Sequence, residues 1–419
     1  MRIRNGRGAA GSKPTVGPGA AASASAAASA LSFLNRRWRG LVLVGLTAAT
    51  SAAVAVPASA SASSDASPVV GHVYVNDNTT GTNTIGAFDR HADGTLTAEP
   101  GSPFAAGGAG TGAGLASQGA LQISPDGQFL IAVDAGSNQI SMLQIRPDGS
   151  LGLTRNGVVS SGGVLPVSVA IHDELVYVAN SGNGGSNYNG FRLRNDGRLQ
   201  PIAGSTVALP SGSQPGDVLF NGDGRKLVGT RVGTSQIDSF TVGEDGLLTA
   251  APGSPFAAQG LGPFGSEFRP TNPSQLFVSN AHNGGILGTV SAFSDSGNGT
   301  LSSIGSSPFA DLQTAPCWVE IAPDGRFLFT VNTGSGSISR YSIAPGGTLT
   351  LLGSTPVGAT GGVGAVDARL SPGGRTLFVD ESRIGAVGAF TVSGGDLTEL
   401  AGSPTSLPAG AAPAGIVVT

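Results

Sequence analysis

The chain has 419 residues, of which 68 are glycine and only 11% are charged, a composition too apolar for charge-driven disorder and too poor in Glu and Lys for a coiled coil. Seven basic and no acidic residues precede position 63, so the rest of the chain holds 15 basic against 26 acidic residues, a net of −11. No basic stripe survives there to neutralise phosphates, which excludes nucleic acid as a partner.

At the N-terminal end, Arg36-Arg37-Trp38-Arg39 stands before the uncharged run Leu41 to Val56, and Ala58-Ser59-Ala60-Ser61-Ala62 follows it. A basic stretch, a short apolar run and an A-x-A site are the parts of a secretory signal. Residues 1–62 are therefore expected to direct export, with cleavage after Ala60 or Ala62 and a short linker over 63–68. The product would be a secreted, extracytoplasmic monomer with no integral membrane domain. The run is shorter than the ~20 residues of a spanning helix; an uncleaved anchor is the alternative, and the arginine pair leaves twin-arginine and general export both open. Cys317 is the sole cysteine, so no intrachain disulfide can form, and it reads as a small buried hydrophobe.

From residue 69 onward the chain repeats. A turn of the form Asp/Asn/Gly-Gly-x-Leu ends at Leu96, Leu151, Leu199, Leu248, Leu301, Leu349 and Leu397, at intervals of 55, 48, 49, 53, 48 and 48 residues. A period near 50 belongs to four-stranded propeller blades, not to helical solenoids. In the sixth unit, Val319 to Ala322 reads as strand A, Phe327 to Val331 as strand B, Ile338 to Ile343 as strand C, and strand D follows Leu349. Asp324-Gly325 joins the first two, because Gly accepts the positive φ of a tight hairpin. The C-terminal Pro413 to Thr419 carries a strand A pattern, whereas the first unit opens at Gly71-His72-Val73-Tyr74-Val75 with a strand B pattern. The last strand is thus expected to complete the first blade, which removes exposed sheet edges. The predicted fold is all-β: one seven-bladed β-propeller of four-stranded antiparallel blades over residues 69–419.

The Pro-Asp-Gly-x-Phe-Leu turns (Pro125 to Leu130, Pro323 to Leu328), the Tyr-Val-Ala-Asn strand (Tyr177 to Asn180) and the Gly-Ser-Pro-Phe segments (Gly101 to Phe104, Gly253 to Phe256) resemble the lactonase family of β-propellers. That family includes 6-phosphogluconolactonases, fungal-type muconate-lactonizing enzymes and exported bacterial members. The resemblance implies the propeller fold and a lactone-directed site built from a His near the start of one strand A, a Pro-Arg-His at the next, an Asn-Glu after its strand B and an Asp-Arg after a following strand B. In repeat order those positions hold Ser117-Gln118-Gly119, Pro166-Val167-Ser168, Asn180-Ser181 and Thr230-Arg231, so only Arg231 is kept. If the chain is an enzyme, the resemblance makes it a lactone hydrolase.

Propeller sites lie where strands A begin and B–C loops converge. Those positions hold Asp217, Trp318 and Asp367, then, two residues deeper, Glu267, Glu320 and Arg369, with Arg231, His282 and several carboxylates, among them Asp77, Asp134, Asp380 and Glu381, at the ends of strands B. His282 is the one plausible general acid/base, and Arg231, His282 and Asp217 are the catalytic candidates. Glu267, Trp318, Glu320, Asp367 and Arg369 are the ligand-binding candidates; acidic groups there suit a cation or cationic ligand or stand as a solvated rim, and Trp318 either stacks on a ring-shaped ligand or plugs the channel. His72, His91 and His172 read as surface residues, no His pair has metal-ligand spacing, and nothing calls for a cofactor. Two functions follow: a propeller that binds a small molecule at the channel mouth and, as an enzyme, hydrolyses a lactone or ester, or a non-catalytic one presenting loops to a cell-surface protein or polysaccharide.

Overall fold

The computed structural model describes residues 67–182, 184–358 and 364–419; the expected signal segment lies outside the described residues. None of the described residues is helical. They form seven antiparallel sheets, each built on a path of four strands. In the sixth blade strand A is Pro316–Ile321, B is Phe327–Asn332, C is Ser337–Ile343 and D is Leu349–Pro356, within one to three residues of the expected bounds.

Position in the blade explains the residue patterns. Strand B is covered on both faces by neighbouring blades, so Phe129–Asp134 in the second blade is buried at every residue and reads as a continuous apolar run. Strand D is outermost, and Leu349–Pro356 alternates between exposed and covered residues. Between blades the apolar faces interlock: Ile131 and Val133 of the second blade pack with Val176, Val178 and Phe191 of the third. Buried tyrosines reach polar partners in the next blade's Asp-Gly turn. Tyr74 donates to the Gly149 carbonyl at 2.8 Å and Tyr177 to that of Gly246 at 2.7 Å, which satisfies both hydroxyls.

Strand D departs from the single strand expected. In five blades it breaks into two pieces, as at Leu248–Ala250 and Phe256–Ala257, and four of the breaks fall at Ser-Pro. Proline has no N–H for the ladder, and a serine hydroxyl takes over part of the pairing. Ser102, Ser254, Ser307 and Ser403 each accept a strand C amide, from Ala87, Ser239, Ala292 and Ala389, at 2.7–3.0 Å.

Ring closure follows the expected route. Ile416–Val418 pairs antiparallel with Val69–Asn76, matching Ile416 to Val75 and Val418 to Val73. Arg90 seals the seam by donating to the backbone oxygen of Thr419 at 2.7 and 3.1 Å. The seven strands A touch one another in an unbroken cycle, so they line the central channel. Antiparallel pairing then places every D–A and B–C loop at one end, called the mouth below.

Candidate functional site

The mouth is shaped by one backbone feature repeated around the ring. The residue three before the Trp318 position has a left-handed φ in five blades: Leu165 (57°), Gln214 (47°), Gly262 (64°), Ala315 (55°) and Gly364 (72°). Three of these carry side chains in a region that costs L-residues about 1–2 kcal/mol. In every case the same residue's carbonyl accepts an amide from the B–C loop, from Ser181, Val232, Ala281, Thr333 and Ser382, at 2.8–3.1 Å. Strand entry and loop are thereby locked together, and strain held in place by surrounding bonds is characteristic of functional sites.

On one side of the mouth this frame encloses a hollow of about 360 Å³. Its walls are Leu115, Leu165, Pro215, Val232 and Phe264, with Gln214, Ser181 and His282 supplying polar atoms. His282 is exposed and held by its own backbone, its amide donating to the Leu261 carbonyl at 3.0 Å. The loops at this end carry Leu261, Ile286, Leu287, Leu312 and Ile384, each more than half exposed. Such exposed aliphatics gathered at one end mark a contact surface.

Beneath lies a plug. Trp318 is 5% exposed, packs edge-on against Phe264 at 5.3 Å, and donates its indole N–H to the Ser117 carbonyl at 2.8 Å. Gln118 also crosses the channel, accepting from the Val319 amide at 2.9 Å and donating to the Ser266 carbonyl at 3.0 Å. A Cβ on Gly265 would meet Gln118 Oε1 at 2.1 Å, so only glycine lets that side chain pass. Of the two roles open to Trp318, plug or stacking platform, the structure displays the plug: its rings are covered.

Asp217, Glu267, Glu320, Asp367 and Arg369 converge in the channel, Asp217 and Asp367 at the level of Trp318 and the others two residues deeper, and largely in one structural task. Asp217 accepts from the amide and hydroxyl of Ser266 at 2.9 and 2.6 Å, Glu267 from the Ile321 amide at 2.9 Å, and Glu320 from the Leu370 amide at 2.8 Å. Each carboxylate therefore caps a backbone N–H of the next blade's strand A, where no ladder partner exists. Arg369 donates to Glu320 at 3.2 Å, and Glu320 foremost holds its guanidinium more firmly protonated than usual. Burial pushes Asp217 up to about 7 and Asp367 up to about 6; burial and then Glu320 push Glu267 well above the carboxylate range. Glu267 and Arg369 are packed round by protein yet half-buried by surface, because they face the lumen.

Arg231 stands apart from that group. Its guanidinium grips Asp238 at 2.5 and 2.6 Å, and Tyr188 donates to the same carboxylate at 3.0 Å. The pair is buried between the third and fourth blades, so Arg231 is withheld from the hollow that His282 lines. The other carboxylates at the ends of strands B are not a solvated rim either: Asp77, Asp134, Asp380 and Glu381 are fully buried. The polar residue ending strand B usually bonds a polar residue seven positions on, as in Asp77 with Thr84, Asn180 with Asn187, Arg231 with Asp238 and Asn332 with Ser339. In the seventh blade that later position is Gly388, and neither oxygen of Glu381 has a hydrogen-bond partner among the described residues.

No motif in the sequence marks the apolar wall residues or the Gln118 crossing, whereas the seven-residue polar spacing is legible there. The site residues inferred from sequence thus separate into His282 at the hollow, Asp217, Glu267, Glu320, Asp367 and Arg369 in the channel with Trp318, and Arg231 in a blade junction.

A family model described as "Lactonase, 7-bladed beta-propeller" matches residues 79–213 and 152–410. Among solved structures, the periplasmic gluconolactonase of Pseudomonas aeruginosa is 18% identical with a TM-score of 0.67, over 83% of this chain and 99% of that one. A candidate 6-phosphogluconolactonase from Bacteroides uniformis is 21% identical with a TM-score of 0.66, again over 83% and 99%. At such identities the likeness is one of fold. No curated protein matches the sequence.

Proposed function

The chain belongs to the lactonase family of seven-bladed β-propellers, and from that premise we propose that it is an exported protein binding a small neutral lactone or ester in the hollow at the channel mouth. The observation that carries this reading is the hollow's chemistry: an apolar wall of Leu115, Leu165, Pro215, Val232 and Phe264, with His282 as its one titratable side chain. An apolar body with a single polar function suits such a lining, since few polar groups fix orientation while burial supplies affinity.

Hydrolysis at this site rests on His282 alone. Its imidazole would take a proton from water as the oxygen attacks the ester carbonyl, then return it to the leaving alkoxide as the C–O bond breaks. Arg231 takes no part while Asp238 holds it. The second reading, a non-catalytic propeller docking a cell-surface protein or polysaccharide, is favoured by the exposed Leu261, Ile286 and Leu287 on the loops that carry and hold His282.

The deciding experiment measures binding and turnover of γ- and δ-lactones bearing alkyl chains, by calorimetry and by acid release. Wild type should bind and His282→Ala should lose turnover with its thermal midpoint unchanged. Phe264→Ala should weaken binding. Absence of binding by every lactone and ester tried, with a surface partner lost on Ile286→Ser and Leu287→Ser, would instead select the docking reading.

A further inference from the structure

Away from the channel, the first blade assembles a second set of titratable side chains. His72 on strand B (Val69–Asn76) and Asp89 on strand C (Thr84–His91) are direct partners in the ladder, so their side chains share one face of the sheet. Glu99 follows strand D (Leu96–Ala98) onto the same face. His72 Nδ1 lies 3.3 Å from Asp89 Oδ1 and 4.0 Å from Glu99 Oε2, and one ligand atom from each residue falls within 4.8 Å of the other two. The His72 ring tucks under the second blade's Asp-Gly turn, where a Cβ on Gly149 would meet it at 2.1 Å. Far from being a surface residue, His72 leaves 18% of its side chain exposed.

Two observations point to something held here. His72 Nδ1 is buried and has no hydrogen-bond partner among the described residues. Glu99 is 6% exposed, and what its carboxyl meets is the carboxyl of Asp89. A buried carboxylate whose neighbour is another carboxylate is destabilising unless the two share a proton or bind a cation.

We propose that His72 Nδ1, Asp89 Oδ1 and Glu99 Oε2 bind a divalent transition-metal cation of the zinc or manganese type. Ligand atoms about 2.1 Å from a tetrahedral ion lie about 3.4 Å from one another. The His72–Asp89 separation already fits, and Glu99 closes the remainder with a small side-chain movement. One imidazole nitrogen with carboxylate oxygens suits zinc or manganese, whereas calcium takes six to eight oxygens. Asp89 is 23% exposed, so the ion reaches the site from that side and water completes its coordination. Bound there, it ties strands B, C and D of the blade that carries the ring seam. The site is independent of the mouth and of the function proposed for it.

The test uses the full chain, purified without a histidine tag and stripped with chelator. Titration with zinc, manganese and calcium chlorides is followed by calorimetry and by the thermal midpoint. One equivalent of zinc or manganese should bind and raise the midpoint, and calcium should do neither. Glu99→Gln and Asp89→Asn keep the side-chain shape while removing a charge, so each should raise the metal-free midpoint, which shows that it folds, and weaken zinc or manganese binding at least ~10-fold. His72→Gln tests the nitrogen ligand by the same readout. Neither ion binding to wild type, binding undiminished in all three variants, or tight calcium binding would overturn the proposal.

Discussion

The indole of Trp318 reaches 201 residues back along the chain to the carbonyl of Ser117 and bonds it at 2.8 Å. With Gln118 it joins the sixth blade to the second across the open centre of the ring, so the channel is a laced interior and not a pore. Trp318→Ala should therefore destabilise the ring by about 3–5 kcal/mol through the cavity it leaves. Trp318→Phe, which keeps the packing on Phe264 and loses only the hydrogen bond, should cost about 1 kcal/mol. Denaturant unfolding of both variants checks the order.

Arg231→Ala should destabilise the fold by about 3–5 kcal/mol, because it leaves Asp238 buried with only Tyr188 to bond it. Replacing the pair together, as Arg231→Met with Asp238→Leu, should restore most of that loss. Lactone binding at the mouth should be the same in the double variant as in wild type. A selective loss of turnover without loss of stability would return Arg231 to the active site.

Asp380 is fully buried and neither carboxylate oxygen has a hydrogen-bond partner among the described residues. At the same place in other blades Asn76, Thr230 and Ser279 donate to backbone carbonyls of the next blade at 2.7–3.0 Å. The position asks for a donor, and an aspartate supplies one only when protonated; burial, then Asp367, Asp77 and Glu381, raise its affinity for that proton. Asp380→Asn should raise the thermal midpoint, more at pH 8 than at pH 5. A lower midpoint at pH 8 would refute this account.

The pH dependence of the whole ring follows from the same burial. Asp77, Asp217 and Glu381 rise to about 7 in the fold, against about 4 in an unfolded chain. The folded state then binds protons more tightly than the unfolded one, so stability is greatest at and below the unfolded values and falls as pH climbs from about 4 to about 7. Exposed Asp93 and Asp148, lowered by bonds from Thr95 and Ser150, act in the opposite sense and only below about pH 4. Metal-free thermal midpoints should drop between pH 5 and pH 8, as scanning calorimetry can show.

The fold was legible because its signals are local and repeat: Asp-Gly turns, Leu at each strand D start, and apolar runs at strand B. Even the seam could be read, from a strand A pattern at Ile416 and its absence before His72. The site was less legible. Sequence placed Asp217, Glu267 and Glu320 at the right height in the ring, but whether a carboxylate faces solvent or caps the next blade's amide depends on packing between blades. Arg231 stands in the sequence as a catalytic candidate because its partner Asp238 meets it only through pairing of strands B and C. For the same reason linear spacing could not reveal His72, Asp89 and Glu99 as neighbours: a hairpin and a further strand bring them together.

The seam has a kinetic meaning as well. Val75 and Ile416 are paired although nearly the whole ring separates them in sequence, so this contact closes the largest loop in the molecule and its entropy must be met before the first blade is complete. Synthesis order makes the wait unavoidable: the first blade emerges early and stays one strand short until the seventh has been made. Its unfinished edge at Tyr74 and Val75 is the surface most exposed to mispairing during that interval. Once closed, the seam gives the finished ring no free end from which to unravel, so its lifetime should be set by the rate at which Ile416–Val418 lets go.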